Sequence, residues 1–189
     1  MPKQTKFFYD CEFLEDSKTI DLISIGIVNY DTREEFYAVS TEFDTAAVAD
    51  NPWLMQNVMS SIPHDVWLDA DPVTGMPRPN LTLTGGAEVM NRVQIRDAIT
   101  EFTHGTWPDF WAWYGAYDHV ALCQLWGRMI DLPNRMPMFT SDIKQFCKQL
   151  GNPKMPKQPE GLHNALADAR FNIVRYEYLQ SLMRQDGLL

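Results

Sequence analysis

Hydrophobic and polar positions along the chain change period several times. Residues 6–14, "KFFYDCEFL", and 20–29, "IDLISIGIVN", are apolar runs rich in aromatic and β-branched residues, and "REEFYAVSTEF" is a third. Turn-like breaks, "LEDSKT" and "NYDT", separate them, so the pattern predicts three strands in an antiparallel meander. Residues 46–60 carry a weak helical period, while 69–86, "DADPVTGMPRPNLTLTGG", are rich in Pro, Gly and Thr and read as a long loop or insertion. Helical spacing returns over 87–103 and ends at His104-Gly105. "DFWAWYGA" reads as a buried strand, and "YDHVALCQLWG" as a helix closed by Gly127. Another helix over 141–150 stops at Gly151 and "NPKMPKQP", and a long one runs from about Leu162 to Met183. The order βββ, α, β, α, α, α predicts an α/β fold, a mixed sheet covered by helices. A length of 189 residues fits one domain over 1–189, with 45–86 as a variable insertion.

The first strand poses a problem of charge. Successive strand side chains alternate in direction, so Asp10 and Glu12 share one face. Two carboxylates about 7 Å apart on one face repel, and burying them costs several kcal/mol. A solvated face would remove the difficulty, but Phe7, Phe8, Phe13 and Leu14 flank the pair. The other remedy is a hard divalent cation such as Mg²⁺ or Mn²⁺, which calls for further carboxylates from elsewhere. Asp118 follows the strand "FWAWYGA"; alone it reads as a helix N-cap. Asp168 lies in "HNALADAR" near the start of the last helix, where Ala165 and Ala169 leave room beside it; alone it reads as solvated. His163 precedes Asp168 by five residues, so it shares no helix face with it and is placed at the helix start, reaching over its end. Alone, it reads as structural.

A net charge of −9 argues against broad, nonspecific binding to nucleic acid, but not against a nucleic-acid enzyme whose acids hold cations. The charge is uneven: residues 128–157 carry six basic and two acidic residues, a local +4, readable as a solvated basic face. Cys11, Cys123 and Cys147 are odd in number and sit in apolar contexts, as buried thiols in a reducing cytoplasm do. The N-terminal segment has no apolar core before Asp10 and no run of 18 apolar residues follows, so neither a secretory signal nor a membrane span is expected.

"DCEF" in the first strand, "YDHVAL" at a strand-to-helix junction and "HNALADA" at the start of a late helix form an ordered set from Asp10 to Asp168. The set resembles the DEDD 3′–5′ exonuclease superfamily in its DEDDh subgroup, where the His precedes the last Asp by five residues. "FYDCEFLEDSKTIDLISIGIV", "YAVSTEFD" and "WAWYGAYDHVALCQLWG" resemble, more narrowly, the small 3′–5′ exoribonuclease family known from mycobacteria and their phages. The resemblance implies an RNase H-like mixed sheet, a meander plus parallel strands, flanked by helices. It implies two Mg²⁺ or Mn²⁺ ions: one held by Asp10, Glu12 and Asp168, a second bridged by Asp10 and held by Asp118 through waters. It makes His163 the general base, for which an imidazole's ordinary pKa near 6.5 is suited. It further implies RNA 3′ ends as substrate, nucleoside 5′-monophosphates as product and a homodimer; the cysteine pattern and the lack of a secretory signal point to a cytoplasmic location. Phe13 stands where many members carry Thr, and Tyr114-Gly115 where many carry His-Asn. Phe13 and Leu14, just past Glu12, are expected to wedge against the terminal base. Arg92 and Arg96, four apart on a helix, either meet a phosphate or form a solvated face; of Trp111 and Trp113, at least one is expected in the core. Two alternatives stay open: the same fold acting on DNA, and a metal-dependent phosphoesterase on small nucleotides. A non-catalytic binding module would gain nothing from four converging acids.

Overall fold

The computed structural model describes residues 3–86 and 88–185. Strands β1 (Lys3–Glu15), β2 (Ile20–Asn29) and β3 (Glu35–Ser40) pair antiparallel in sequence order. Two short helices follow, α1 (Thr45–Ala49) and α2 (Pro52–Asn57), then a hairpin of β4 (His64–Ala70) and β5 (Pro77–Leu83), the short strand β6 (Val89–Met90) and α3 (Arg92–Phe102). β7 (Thr106–Ala112), α4 (Ala116–Gln124), the short β8 (Ser141–Asp142), α5 (Ile143–Gln149) and α6 (Ala165–Gln185) complete the order. The main sheet runs β6-β3-β2-β1-β7-β8, with β6, β7 and β8 each parallel to a neighbour. This is the expected RNase H-like mixed sheet. Among the described residues no helix is long and apolar enough to cross a membrane.

Two stretches depart from expectation. Residues 69–86 are not a loop: Ala70↔Pro77 through His64↔Leu83 pair in the β4–β5 hairpin. A two-stranded ribbon is all edge, so Pro77 and Pro79 remove no interior ladder bond. The Asp71 carboxylate closes the turn by accepting from the Val73 and Thr74 N–H groups at 3.0 and 2.7 Å. The helix expected over 87–103 starts only at Arg92, because Asn91 and Gln94 form a capping box there. Val89 and Met90, just upstream, pair with β3 instead.

Alternation along β1 sorts the core. Phe7, Tyr9 and Cys11 point to one face and pack with Ile25 and Ile27 of β2, Ile95 and Ile99 of α3 and Leu122 of α4. Phe8 points to the other, against Ile143 and Cys147 of α5 and Ala169, Ile173 and Leu179 of α6. A third cluster joins Leu14, Ile23 and Val39 of the sheet to Val48 of α1, Leu54 of α2 and Leu81 of β5. The 45–86 segment is thus fastened to the sheet by apolar packing. Cys11, Cys123 and Cys147 are buried free thiols.

Helix α6 lies hard against the sheet. A Cβ on Gly26 of β2 would run into the backbone of Leu166 and Ala165, so the missing side chain is what permits the approach. Buried Asn172 donates its Nδ2–H to the Tyr9 carbonyl at 3.0 Å, and Arg170 grips Glu35 of β3 through two bonds of 2.6 Å. The sequence suggests apolar residues on two sides of α6. One side would carry Leu162, Leu166, Ala169 and Ile173, the other Phe171, Val174 and Tyr178; but Tyr178 packs on the same core as Ile173, Phe171 lies under the Arg175 guanidinium, and of those three Val174 alone is exposed.

Gly26→Ala is expected to cost about 1–3 kcal/mol, the usual range for overpacking, since both contacting partners are backbone. Urea denaturation measures this. A variant as stable as the parent would mean that α6 can lift from β2 without cost.

Candidate active site

Asp10 and Glu12 pair across to Gly26 and Ser24 of β2, so they stand where α6 comes closest to the sheet. Asp168 is in the first turn of α6 and nearly buried. Asp10, Glu12 and Asp168 each present a carboxylate oxygen, all within 4.8 Å of one another. The β1–β2 register then slips between Glu12 and Phe13, a bulge of the kind that re-aims side chains beside functional sites.

Asp118 does not cap its helix. Gly115 holds that position, and Asp118 lies in the first turn of α4. Its Oδ1 accepts the backbone N–H of Cys11 at 2.7 Å. Pairing between β1 and β7 ends at Phe8↔Trp111, so Cys11 has no strand partner on that edge and the carboxylate takes that place. Asp118 lines the same pocket as the other three acids but stands outside their 4.8 Å cluster.

His163 lies just before α6, with a left-handed backbone (φ 62°) that non-glycine residues adopt chiefly in turns and at functional sites. Its backbone N–H donates to Asp168 Oδ2 at 2.8 Å, and its ring meets Trp53 edge-on at 4.9 Å between centroids. Asn164 caps the helix by accepting from the Ala167 N–H at 3.0 Å.

The four acids and His163 line one open pocket of about 410 Å³. Phe13, Trp53, Trp113, Tyr114 and Tyr117 supply an aromatic wall, with Phe13 edge-on to Tyr117 at 5.9 Å. Leu14 is not part of it, being buried in the cluster beneath α1 and α2. Arg92 and Arg96 are also elsewhere: Arg92 is paired with Asp21, and Arg96 with Asp97 at 2.8 Å. Trp111 belongs to the core and Trp113 to the pocket. Three pocket residues are absent from the sequence reading. Trp53 and Tyr117 gave no signal apart from being aromatic. Arg175 gave one: it stands seven residues after Asp168, two helical turns along the same side of α6.

Burial and like charge dominate the electrostatics. Burial first, then the charges of Asp168 and Asp118, pushes the Glu12 carboxyl from its ordinary 4.5 up to about 8. Burial, followed by Asp118, Glu12 and Asp168, holds Asp10 well above the usual carboxylate range. Burial also raises Asp118 and Asp168, opposed by the Cys11 N–H in the first case and by hydrogen bonds from Gln158 and the His163 N–H in the second.

Comparison with known proteins gives the site its context. The chain is 40% identical, over 176 residues, to 3′–5′ exoribonucleases from two strains of Mycobacterium tuberculosis, covering 93% of this chain and 94% of each relative. The chain belongs to this 3′–5′ exoribonuclease family. The DEDDh resemblance and its narrower mycobacterial form therefore both stand. No protein-family model matches the chain.

The donor set fits a hard divalent cation of the kind a DEDDh exonuclease is expected to use. Three carboxylate oxygens lie close enough to share one ion, in a place where little water relieves their repulsion. Between pH 4.5 and about 8, the folded, metal-free chain keeps a proton on Glu12 that the unfolded chain has released. The native state then binds more protons than the unfolded one, so stability falls as pH rises through that window. Metal binds the deprotonated carboxylates and opposes the fall. In EDTA the melting temperature is expected to be lower at pH 8 than at pH 5.5, with Mn²⁺ restoring more at pH 8 and Glu12→Gln flattening the EDTA slope. Calorimetry at the two pH values checks this; equal stability in EDTA would contradict it.

Proposed function

We propose that the protein acts as one exonuclease domain, removing nucleotides from the 3′ end of RNA and releasing nucleoside 5′-monophosphates with the help of divalent cations. The reading rests on the convergence of Asp10, Glu12 and Asp168 within 4.8 Å, in a chain that belongs to a 3′–5′ exoribonuclease family. Asp10, Glu12 and Asp168 would hold one Mg²⁺ or Mn²⁺, and Asp10 with Asp118 a second. Bound there, such ions supply Lewis acidity and charge neutralisation toward the phosphodiester oxygens.

The chain's own groups do the remainder. His163 accepts the proton of the attacking water on its imidazole; its backbone N–H bond to Asp168 fixes the residue and the edge contact with Trp53 holds the ring. The water oxygen bonds to phosphorus as the P–O3′ bond breaks, and the 3′ oxygen leaves with the electron pair and takes up a proton. Phe13 and Tyr117 offer ring surface for the terminal base, where stacking on aromatic side chains is worth about 1–3 kcal/mol per base. Leu14, buried in the core, supports Phe13's strand rather than the base.

Digestion of 5′-labelled single-stranded RNA with Mn²⁺ should give a ladder shortening from the 3′ end, with nucleoside 5′-monophosphates as product. Matched DNA cleaved faster than RNA would favour the DNA alternative. Hydrolysis of free mononucleotides in preference to either would favour the phosphoesterase one. Sedimentation at micromolar concentration tests the expected homodimer. Asp10→Ala should abolish activity and most of the stabilisation by Mn²⁺. For His163→Ala, a rate about 10²–10⁴-fold lower is expected, the usual range for a positioned acid–base group, with Mn²⁺ stabilisation retained. A destabilised His163→Ala enzyme with a normal single-turnover rate would remove His163 from the catalytic set.

A further inference from the structure

The pocket holds one guanidinium, which the reaction outlined above does not use. Arg175 lines it together with the acids, two helical turns along α6 from Asp168. Its guanidinium lies over the rings of Trp113 and Phe171, at 4.8 Å from each centroid. Its Nη1–H donates to Asn172 Oδ1 at 2.7 Å, and Asn172 is itself tied to the Tyr9 carbonyl beside Asp10. The plane of the group is therefore fixed. Among the described residues, ion pairs to carboxylates engage Arg33, Arg78, Arg92, Arg96, Arg128 and Arg170, whereas Arg175 forms none and Arg135 lies over Trp107, away from this pocket. It sits near enough to Asp168 and Asp10 to feel their charge without pairing with either.

We propose that Arg175 contacts a non-bridging oxygen of a backbone phosphate of the substrate, as a substrate-binding residue of this pocket. The proposal rests on the nuclease reading given above. A phosphodiester entering a pocket lined by four carboxylates brings more negative charge to a place already crowded with it. A stacked, pre-oriented guanidinium offers paired donors that match phosphate geometry and stay charged at any working pH. The rival role is internal, with Arg175 merely balancing Asp10 and Asp168.

Steady-state kinetics on single-stranded RNA with Mn²⁺, over a range of salt, separates the two. Arg175→Gln is expected to raise KM about 10–100-fold with kcat changed only a few-fold, and to lower the salt slope of log kcat/KM by about 0.7, the value for one phosphate contact on a single strand. Unchanged KM and salt slope, with a lower melting temperature in EDTA, would overturn the proposal in favour of internal balance. Should Arg175→Gln fail to fold, Arg175→Lys carries the test. It keeps the charge but loses the paired donors, so a several-fold rise in KM supports the contact and an unchanged KM overturns it. If the parent enzyme leaves RNA intact, the nuclease reading falls on its own. Fluorescence anisotropy of the same RNA then decides for Arg175: weaker binding by Arg175→Gln keeps the phosphate contact, and equal binding removes it.

Discussion

A helix can rest with its backbone against a strand only where the strand carries no side chain. In this fold that place is Gly26, where the first turn of α6 meets β2 directly across from Asp10. The approach carries Asp168 down to Asp10 and Glu12, and it sets the height of everything else on α6. Asn172 reaches the Tyr9 carbonyl because the helix is this low, and Arg175 can then be tied to Asn172. A methyl group at position 26 would push at the one spot where sheet acids and helix acid must meet.

The same closeness creates the site's main energetic conflict. Carboxylates with raised proton affinity are brought together under partial burial, a costly arrangement unless each is held and compensated. Asp118 is held by the Cys11 N–H and Asp168 by the His163 N–H, each a backbone donor on a neighbouring segment. The two donors satisfy one oxygen of each acid and fix its direction. Metal-free, the remaining charge is reduced by protonation; with cations it is neutralised by them.

How far this was legible in the sequence depends on the distance over which each feature is encoded. Asp10 and Glu12 could be read because strand alternation is local, whereas His163 and Asp168, each unremarkable alone, were legible only through the resemblance of the ordered set to DEDDh exonucleases. Asp118 could be placed at its junction, but its bond to Cys11 spans 107 residues and has no local trace. The β4–β5 hairpin was hidden by its prolines, which a two-stranded ribbon tolerates and an interior strand does not. Leu14 resembled a pocket residue because it follows Phe13; the α1–α2 segment, which covers it, is brought there by Val48 and Leu54, residues that resemble any other core positions. Arg92 sits on a helix as expected, yet Asp21, 71 residues earlier, claims it.

The pocket also has two kinds of wall. The acids and Arg175 stand on β1, α4 and α6, long or well-packed elements whose backbones are fixed by the sheet and the core. Sites on such elements hold their geometry closely. Trp53 instead comes from α2, six residues long, and reaches the pocket only because the third apolar cluster anchors α1 and α2 to the sheet. Its edge contact with His163 makes that cluster part of how the imidazole is held. The segment 45–86, which shares no motif with the acid set, therefore meets the pocket through Trp53 and, beside His163, through the Ser61 hydroxyl, which accepts from the Asn164 side chain at 3.4 Å. Its packing beneath Trp53 bears on the orientation of His163, while the carboxylate cluster depends on Gly26 and α6.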